Sequence, residues 1–274
     1  MKYILILLVL MSQFLDLNAK EKKKASDFVK ITPMVSHTEI SPGSQLLIIF
    51  DFKMEKDWHI YWKNPGDSGL PTEIKVKAEK PIDTLGLFWY PPEKFTFDDL
   101  VNYGYSDSAR FVYLLIVPKT TKEGTYKLKA TVNYLACKEE CLAGKDTFEL
   151  NFKVSDRTFL NANLNELNMN DYYPNVYNRD VCNSVLLEDT LYTEVSVKTN
   201  NSKFYTEFFP LTQGYFIYSG IKIRNIDNDR FGILLPLDRF REEDPTELSG
   251  LVVFRNYDDH KITNSFYINT KINK

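Results

Sequence analysis

The stretch Tyr134-Leu-Ala-Cys137-Lys-Glu-Glu-Cys141-Leu-Ala-Gly144 carries two of the three cysteines of this 274-residue chain. It lies between two alternating runs, 126–132 and 146–154, that are typical of β-strands. A disulfide requires Cα atoms roughly 4.4 to 6.8 Å apart, whereas four extended residues span about 13 Å. The chain must therefore fold back between Cys137 and Cys141, and Gly144 and the charged residues of the stretch suit such a turn.

A bridge between these cysteines would be a weak staple. In the chain-entropy model a loop of about five residues contributes about 2 kcal/mol, against roughly 4 kcal/mol for a loop of about 40 residues such as Cys141 to Cys182. A close pair is better suited to opening and closing, because both sulfurs stay within reach after reduction. A static structural disulfide remains an alternative, and zinc is less favoured because there is no second cysteine pair or nearby histidine.

The third cysteine, Cys182, has no sequence partner of this kind. We interpret it as a buried free thiol, with pairing to another chain as the alternative.

The start of the chain resembles a secretory signal peptide. Residues 1–19 contain an early Lys2, an apolar segment over 4–11 and a small final residue, Ala19. The apolar segment is too short to span a bilayer, and no other stretch approaches about 18 apolar residues. We therefore expect an exported mature chain that is not itself membrane-spanning and whose cysteines can be oxidised.

Composition excludes one class of partner and favours one fold class. The formal net charge is −3, and Lys and Arg are not gathered into the footprint that nucleic-acid binding requires. Aromatic residues make up 14% of the chain and occur in short alternating runs, which favours strands over helices. The chain is therefore predicted to be all-β.

Alternating runs separated by turn signals predict a β-sandwich, followed by a second, smaller antiparallel β domain. The predicted domain ranges are 28–154 and 179–274, joined by a linker over 155–178 with one short helix around 160–167. Loops are predicted over 63–71 and 91–107. The predicted strands are 45–53, 73–77, 86–90, 111–117, 126–135 and 146–154 in the first half, and 191–198, 203–209, 215–224, 231–235, 249–255 and 264–272 in the second.

Three further polar residues each allow a functional and a structural interpretation. His59, between Asp57 and Trp62, could poise a thiol, although a histidine beside tryptophans is more commonly a packed structural residue. Asp98 and Asp99 could form an acid/base pair, although adjacent acids in a loop are commonly just solvated. The sequence has no serine nucleophile elbow, phosphate-binding glycine loop or zinc-protease motif.

Five motifs, in this order and spacing, resemble the periplasmic N-terminal domain of the DsbD-type thiol:disulfide interchange reductases, in particular the ScsB copper-tolerance branch, also described as the disulfide-bond corrector family. The resemblance covers about residues 30 to 154, and Phe208-Phe-Pro210 with Leu248-Ser-Gly-Leu251 extend it into the second half. The motifs are Trp58-His-Ile-Tyr-Trp62, Asn64-Pro-Gly-Asp-Ser-Gly-Leu-Pro71, Trp89-Tyr-Pro-Pro92, Tyr103-Gly-Tyr105 and Leu135-Ala-Cys-Lys-Glu-Glu-Cys-Leu-Ala-Gly144.

The resemblance implies an immunoglobulin-like sandwich in which Cys137 and Cys141 pass electrons to oxidised periplasmic proteins. It implies that Cys141 forms the mixed disulfide and that Cys137 resolves it. It also implies a cap loop over the pair, matched here by 98–105. The family has an aromatic residue immediately before the Tyr-Gly of the cap, where this chain has Asn102, so shielding is expected from Tyr103, Tyr105 or Phe97.

The resemblance also implies partners. The chain ends at Lys274 without a transmembrane electron carrier or a thioredoxin module, so we expect a separate membrane reductase as electron donor and thioredoxin-like periplasmic proteins as partners. No cofactor is expected. Lys138 would favour a thiolate in the pair, and Glu139 and Glu140 would oppose it.

Two other functions stay open. One is a copper-binding or copper-tolerance protein, because thiolates bind Cu(I) and the pair could act with His59. The other is a non-catalytic β-sandwich binding module whose disulfide is structural.

Overall fold

The computed structural model describes residues 23–162, 175–176, 182–197, 204–227 and 229–273. Strands dominate the described residues. In chain order they are β1 (Val29–Val35), β2 (His37–Ile40), β3 (Gln45–Met54), β4 (His59–Gly66), β5 (Glu73–Ala78), β6 (Asp83–Trp89), β7 (Glu93–Phe97), β8 (Leu100–Ser106), β9 (Ser108–Ile116), β10 (Gly124–Cys137), β11 (Cys141–Val154), β12 (Phe159–Leu160), β13 (Asn175–Val176), β14 (Cys182–Leu187), β15 (Thr190–Ser196), β16 (Phe204–Pro210), β17 (Lys222–Asn225), β18 (Arg230–Pro236), β19 (Glu247–Asn256) and β20 (Ile262–Asn273).

Two sheets form a sandwich in the first half. One has the order β1-β3-β9-β6, and the other has the order β12-β2-β11-β10-β4-β8-β7, with β5 also paired to β10. Along β10 the residues from Tyr126 to Ala136 are buried at every second position, as expected for a strand with one face on the core. The core between the sheets is rich in aromatic rings, including Phe52 and Trp89, which both meet Phe111 edge to face.

A third sheet forms the second half, with the order β16-β19-β20-β14-β15-β18-β17 and β13 beside β20. Its longest antiparallel pairing joins β19 to β20. The sequence predicted an antiparallel domain, but the sheet is mixed, because β13 and β14 both run parallel to β20.

Side chains of the two halves pack against one another. Phe209 of β16 meets Tyr103 of β8 and Trp62 of β4 edge to face, with ring centroids 5.2 and 6.1 Å apart. The buried Asn64 amide donates hydrogen bonds to the Pro210 carbonyl oxygen at 2.8 Å and to the Tyr218 hydroxyl at 3.3 Å. The far end of β4 is thus covered by the second half.

The all-β, immunoglobulin-like prediction is confirmed. Three local predictions are wrong. The loop over 63–71 is partly strand, because β4 continues to Gly66. The loop over 91–107 is the β7–β8 hairpin, whose second strand, β8, pairs with β4. The strand over 215–224 is interrupted, because Tyr218–Gly220 forms a 3-10 turn before β17.

Other predictions fall partly outside the described residues. The signal peptide over 1–19 lies outside them, as does most of the helix around 160–167, whose first residue belongs to β12. Both β12 and β13 lie within the predicted linker 155–178. The first pairs with β2 and the second pairs with β20. The domain ranges remain predictions.

Asn64→Ala should lower the free energy of unfolding by about 2 kcal/mol or more. The substitution leaves the buried Pro210 carbonyl and the Gly66 amide, which donates to Asn64 Oδ1 at 3.0 Å, without their partners. Urea denaturation followed by circular dichroism measures the effect. Asn151→Ala, at an exposed position of β11, is the control and should change stability little. Equal midpoints for the two variants would show that the Asn64 bonds do not stabilise the contact between the halves.

Candidate functional site

The cysteine pair closes the hairpin between β10 and β11. Cys137 and Cys141 are direct cross-strand partners, their Cα atoms lie 4.1 Å apart, and their sulfurs form a disulfide. Residues 138–140 make the turn, in which the Lys138 N–H donates to the Glu140 carbonyl oxygen at 3.1 Å. The cysteine spacing predicted that the chain folds back, and it does so as a tight hairpin whose strand pairing ends at the two cysteines.

The two sulfur-bearing residues differ in exposure. Cys137 is 2% exposed, whereas Cys141 is an exposed residue. The reason is strand order: at its last residue β10 has β11 on one side and β4 on the other, with Cys137 opposite His59. At Cys141 the recorded strand partner is β10 alone, because β2 pairs with β11 only at its far end. An incoming thiol therefore meets Cys141 first.

His59 and Tyr61 share the face of β4 that carries Cys137. The Tyr61 hydroxyl donates to Cys137 Sγ at 3.4 Å, and His59 Nε2 lies 3.4 Å from the same hydroxyl. Both residues are buried, at 6% and 5% exposure. Burial lowers the pKa of His59 and raises the pKa of Tyr61, so both side chains are neutral at neutral pH.

Tyr61 is held in place by the loop that follows β4. Gly69 adopts φ +93°, and a Cβ atom there would collide with the Tyr61 ring, so the ring lies flat against the glycine backbone. The Thr72 hydroxyl donates to the Tyr61 carbonyl oxygen at 2.8 Å. The Gly-Leu-Pro segment of this motif thus positions a side chain that contacts the disulfide.

Two phenylalanines of β7 cover His59. The ring centroids of Phe95 and Phe97 lie 5.1 and 5.9 Å from that of His59. Gly104 gives Phe95 its space, since a Cβ atom at Gly104 would collide with the Ile60 carbonyl oxygen and press on the Phe95 ring. The resemblance implies Phe97 as a shielding residue but not Phe95. The alternation of Phe95-Thr-Phe97, which places both rings on one face of a strand, was the available signal.

Tyr103 and Tyr105, which we expected to shield the pair, do not do so. Tyr105 is the cross-strand partner of Ile60, and alternation places both on the core face, opposite to the face of Tyr61. The Tyr105 hydroxyl donates to the Tyr90 carbonyl oxygen at 2.6 Å. Tyr103 packs against the second half instead.

Asp98 and Asp99 form the exposed turn between β7 and β8, where Asp98 adopts φ +52°. No hydrogen bond or ion pair to the cysteine hairpin is recorded for either carboxylate among the described residues. The structure therefore places His59 opposite Cys137 and Phe97 on His59, and it records no bond from these two acids to the hairpin among the described residues.

Asn102 explains the departure from the family pattern. Its side-chain amide donates to the carbonyl oxygens of Pro65 and Ser68, at 3.1 and 2.5 Å, and it is buried beneath that loop. It ties β8 to the segment that positions Tyr61. The aromatic cover over His59 comes from β7 instead.

Charged side chains around the turn are paired. Lys138 Nζ lies 3.0 Å from Asp57 Oδ2, and this hydrogen bond lowers the pKa of Asp57. Lys23 Nζ lies 2.5 Å from Glu140 Oε1. The Lys138 ammonium, which the sequence suggested as a thiolate stabiliser, is thus already bound to a carboxylate.

Other features lie apart from the pair. Cys182 is a half-buried free thiol in β14, and burial raises its pKa to about 11. Within the described ranges no group of three or more His, Cys, Asp or Glu side chains is arranged to bind a metal ion. The same ranges contain no helix with the length and hydrophobicity needed to cross a bilayer.

Comparison with solved structures supports the fold. The N-terminal periplasmic domain of ScsB from Proteus mirabilis superimposes with a TM-score of 0.65 over 92% of this chain and 96% of that one, at 15% identity. The reduced N-terminal domain of DsbD from Neisseria meningitidis matches at 13% identity over 52% of this chain and 98% of that one, with a TM-score of 0.30. No curated protein sequence is significantly similar to this chain.

The first half of the chain also matches a protein-family model. Residues 27–153 match the family model described as thiol:disulfide interchange protein DsbD, N-terminal. These residues contain the sandwich except for β12 and the last residue of β11, and they include the disulfide and the aromatic cover over His59. Residues 27–153 therefore match a DsbD-type N-terminal domain, in sequence through the family model and in fold through the ScsB structure.

Proposed function

We propose that this protein is a periplasmic thiol-disulfide interchange protein that passes reducing equivalents from a membrane reductase to oxidised exported proteins. The Cys137–Cys141 pair carries the electrons. A separate chain supplies the membrane reductase, and the exchange partners are thioredoxin-like proteins. The domain family supports the chemistry, and the signal-like sequence over 1–19 supports the compartment.

The observation that carries the proposal is the unequal burial of the two cysteines. A disulfide used only as a staple has no need of one exposed end and one enclosed end. Thiol-disulfide exchange benefits from this difference. The attacking sulfur must be accessible to the partner, while the resolving sulfur must stay close to it until the mixed disulfide has formed. Cys141 meets the first requirement and Cys137 the second.

The exchange proceeds in two steps. In delivery of electrons, the Cys141 thiolate attacks one sulfur of an oxidised client, and the client's other sulfur leaves as a thiolate. The Cys137 thiolate then attacks Cys141 Sγ, which forms the internal disulfide and releases the second client thiolate. The client gains two electrons and the pair loses two. Reduction by the membrane partner is the same sequence in reverse.

The exposed end of the β7–β8 hairpin supports a docking role. Phe97 and Leu100 are cross-strand partners there, at 53% and 48% exposure. Phe97 stacks on His59, the cross-strand partner of Cys137, and exposed apolar side chains in such a position are suited to contact with a docking partner. We propose that a thioredoxin-like partner contacts this pair when it reaches Cys141.

The reduction potential of the pair should lie in the range of exchange proteins, roughly −120 to −270 mV. Equilibration of the Cys182→Ser protein in glutathione buffers, followed by acid quenching and thiol trapping, measures it. The Cys182 substitution removes the free thiol from the count. A potential below about −300 mV would identify a structural bridge and contradict the proposed function.

Single-cysteine variants should react unequally with glutathione disulfide. Cys137→Ser retains the exposed Cys141 and should accumulate a mixed disulfide, whereas Cys141→Ser retains the enclosed Cys137 and should react at least about tenfold more slowly, since access limits exchange. Intact-mass spectrometry of both variants, each with Cys182→Ser, follows the 1:1 adduct. Equal rates would remove Cys141 as the exchanging sulfur.

A further inference from the structure

The enclosed position of Cys137 poses a chemical problem for exchange. When a thiolate opens the disulfide at Cys141, the electron pair of the broken S–S bond moves to Cys137 Sγ. Cys137 is 2% exposed as a residue, so water cannot solvate the charge well, and an unsolvated thiolate is a poor leaving group. Productive exchange therefore needs a hydrogen-bond donor from the protein at Cys137.

Each ammonium group recorded at the turn is paired with a carboxylate rather than with Cys137 Sγ. Lys138 is bonded to Asp57, and Lys23 is bonded to Glu140. Among the described side chains, the Tyr61 hydroxyl is the one that the structure records as a donor to Cys137 Sγ, at 3.4 Å.

We propose that Tyr61 is a catalytic residue that donates a hydrogen bond to the thiolate released at Cys137, and that His59 is a positioning residue that directs the Tyr61 hydroxyl. The inference rests on the proposed function. The incoming thiolate forms a bond to Cys141 Sγ, the Cys137–Cys141 bond breaks, and Cys137 Sγ keeps the electron pair as a thiolate bonded to Tyr61 O–H. No proton needs to move in this step.

The hydrogen bond between His59 and Tyr61 depends on which ring nitrogen of His59 carries the hydrogen. With a hydrogen on Nε2, the imidazole donates to Tyr61 Oη, and the hydroxyl hydrogen is then directed at the sulfur. Desolvation keeps His59 neutral and Tyr61 protonated, so this chain of donors persists at neutral pH. Phe95 and Phe97 cover His59, and a dry environment strengthens each hydrogen bond.

The loop after β4 makes the hydroxyl a fixed donor. The Tyr61 ring lies against Gly69, and its backbone carbonyl is bound by Thr72. A side chain held in this way loses little conformational freedom when the thiolate appears, so the hydrogen bond is preorganised for the charged state.

The test is Tyr61→Phe in the Cys182→Ser background, which keeps the ring and removes the donor. Reduction by dithiothreitol, followed by stopped-flow fluorescence, should be about three- to tenfold slower, because a charge-assisted hydrogen bond is lost from the leaving thiolate. In the reduced protein the pKa of the Cys137 thiol, measured by ¹³Cβ NMR, should rise by about one unit. His59→Phe should change both quantities in the same direction by less.

Tyr134→Phe is the matched control. It removes the hydroxyl of another buried tyrosine, in the same strand as Cys137, whose bond goes to Asp146 at 3.0 Å. It should leave the rate and the Cys137 pKa unchanged, and thermal unfolding by circular dichroism verifies that each variant is folded.

Tyr61→Phe that is reduced at the wild-type rate, or that is slower with an unchanged Cys137 pKa, would overturn the role of Tyr61 while leaving the proposed function intact. A wild-type potential in the structural range would instead overturn the proposed function itself, so the two failures are distinguishable.

Discussion

The pairing of β10 with two neighbours at its last residue is the constraint on which the site depends. Cys137 lies opposite Cys141 on one side and His59 on the other. The hairpin register brings the sulfurs together, and the pairing with β4 encloses one of them. A hairpin at the edge of a sheet would leave both cysteines exposed. The interior position of β10 therefore creates the unequal exposure of the two cysteines.

Alternation along β4 divides the structure into a core face and a site face. Ile60 and Trp62 point into the sandwich and are fully buried there, while His59 and Tyr61 occupy the side of Cys137. Because a strand side chain changes face at every residue, the same five-residue motif supplies the core and the site at once. The aromatic residues of β8 follow this rule too, which is why Tyr105 packs in the core.

The second half is joined to the elements that build the site. Asn64 bonds to Pro210, and Arg255 of β19 donates to the Pro92 carbonyl oxygen at 2.8 Å, immediately before the covering strand β7. Arg255 is also paired with Glu207 at 2.5 Å. The base of the cover and the end of β4 are thus both bonded to the second half. The Asn64–Pro210 and Arg255–Pro92 contacts join residues more than 140 positions apart, so no local pattern could have predicted them.

The sequence alone determined many of the strands, the all-β class and the close cysteine pair, because hydrophobic alternation and the four-residue separation of Cys137 and Cys141 are local properties. It also indicated the family through five short motifs. It misassigned the polar hairpin that contains Phe95, since loop-like composition hid its pairing with β8. Only the tertiary structure decided which sulfur is enclosed and that Tyr61 donates to it. Those facts depend on which strands become neighbours, and strand order is a property of the whole fold.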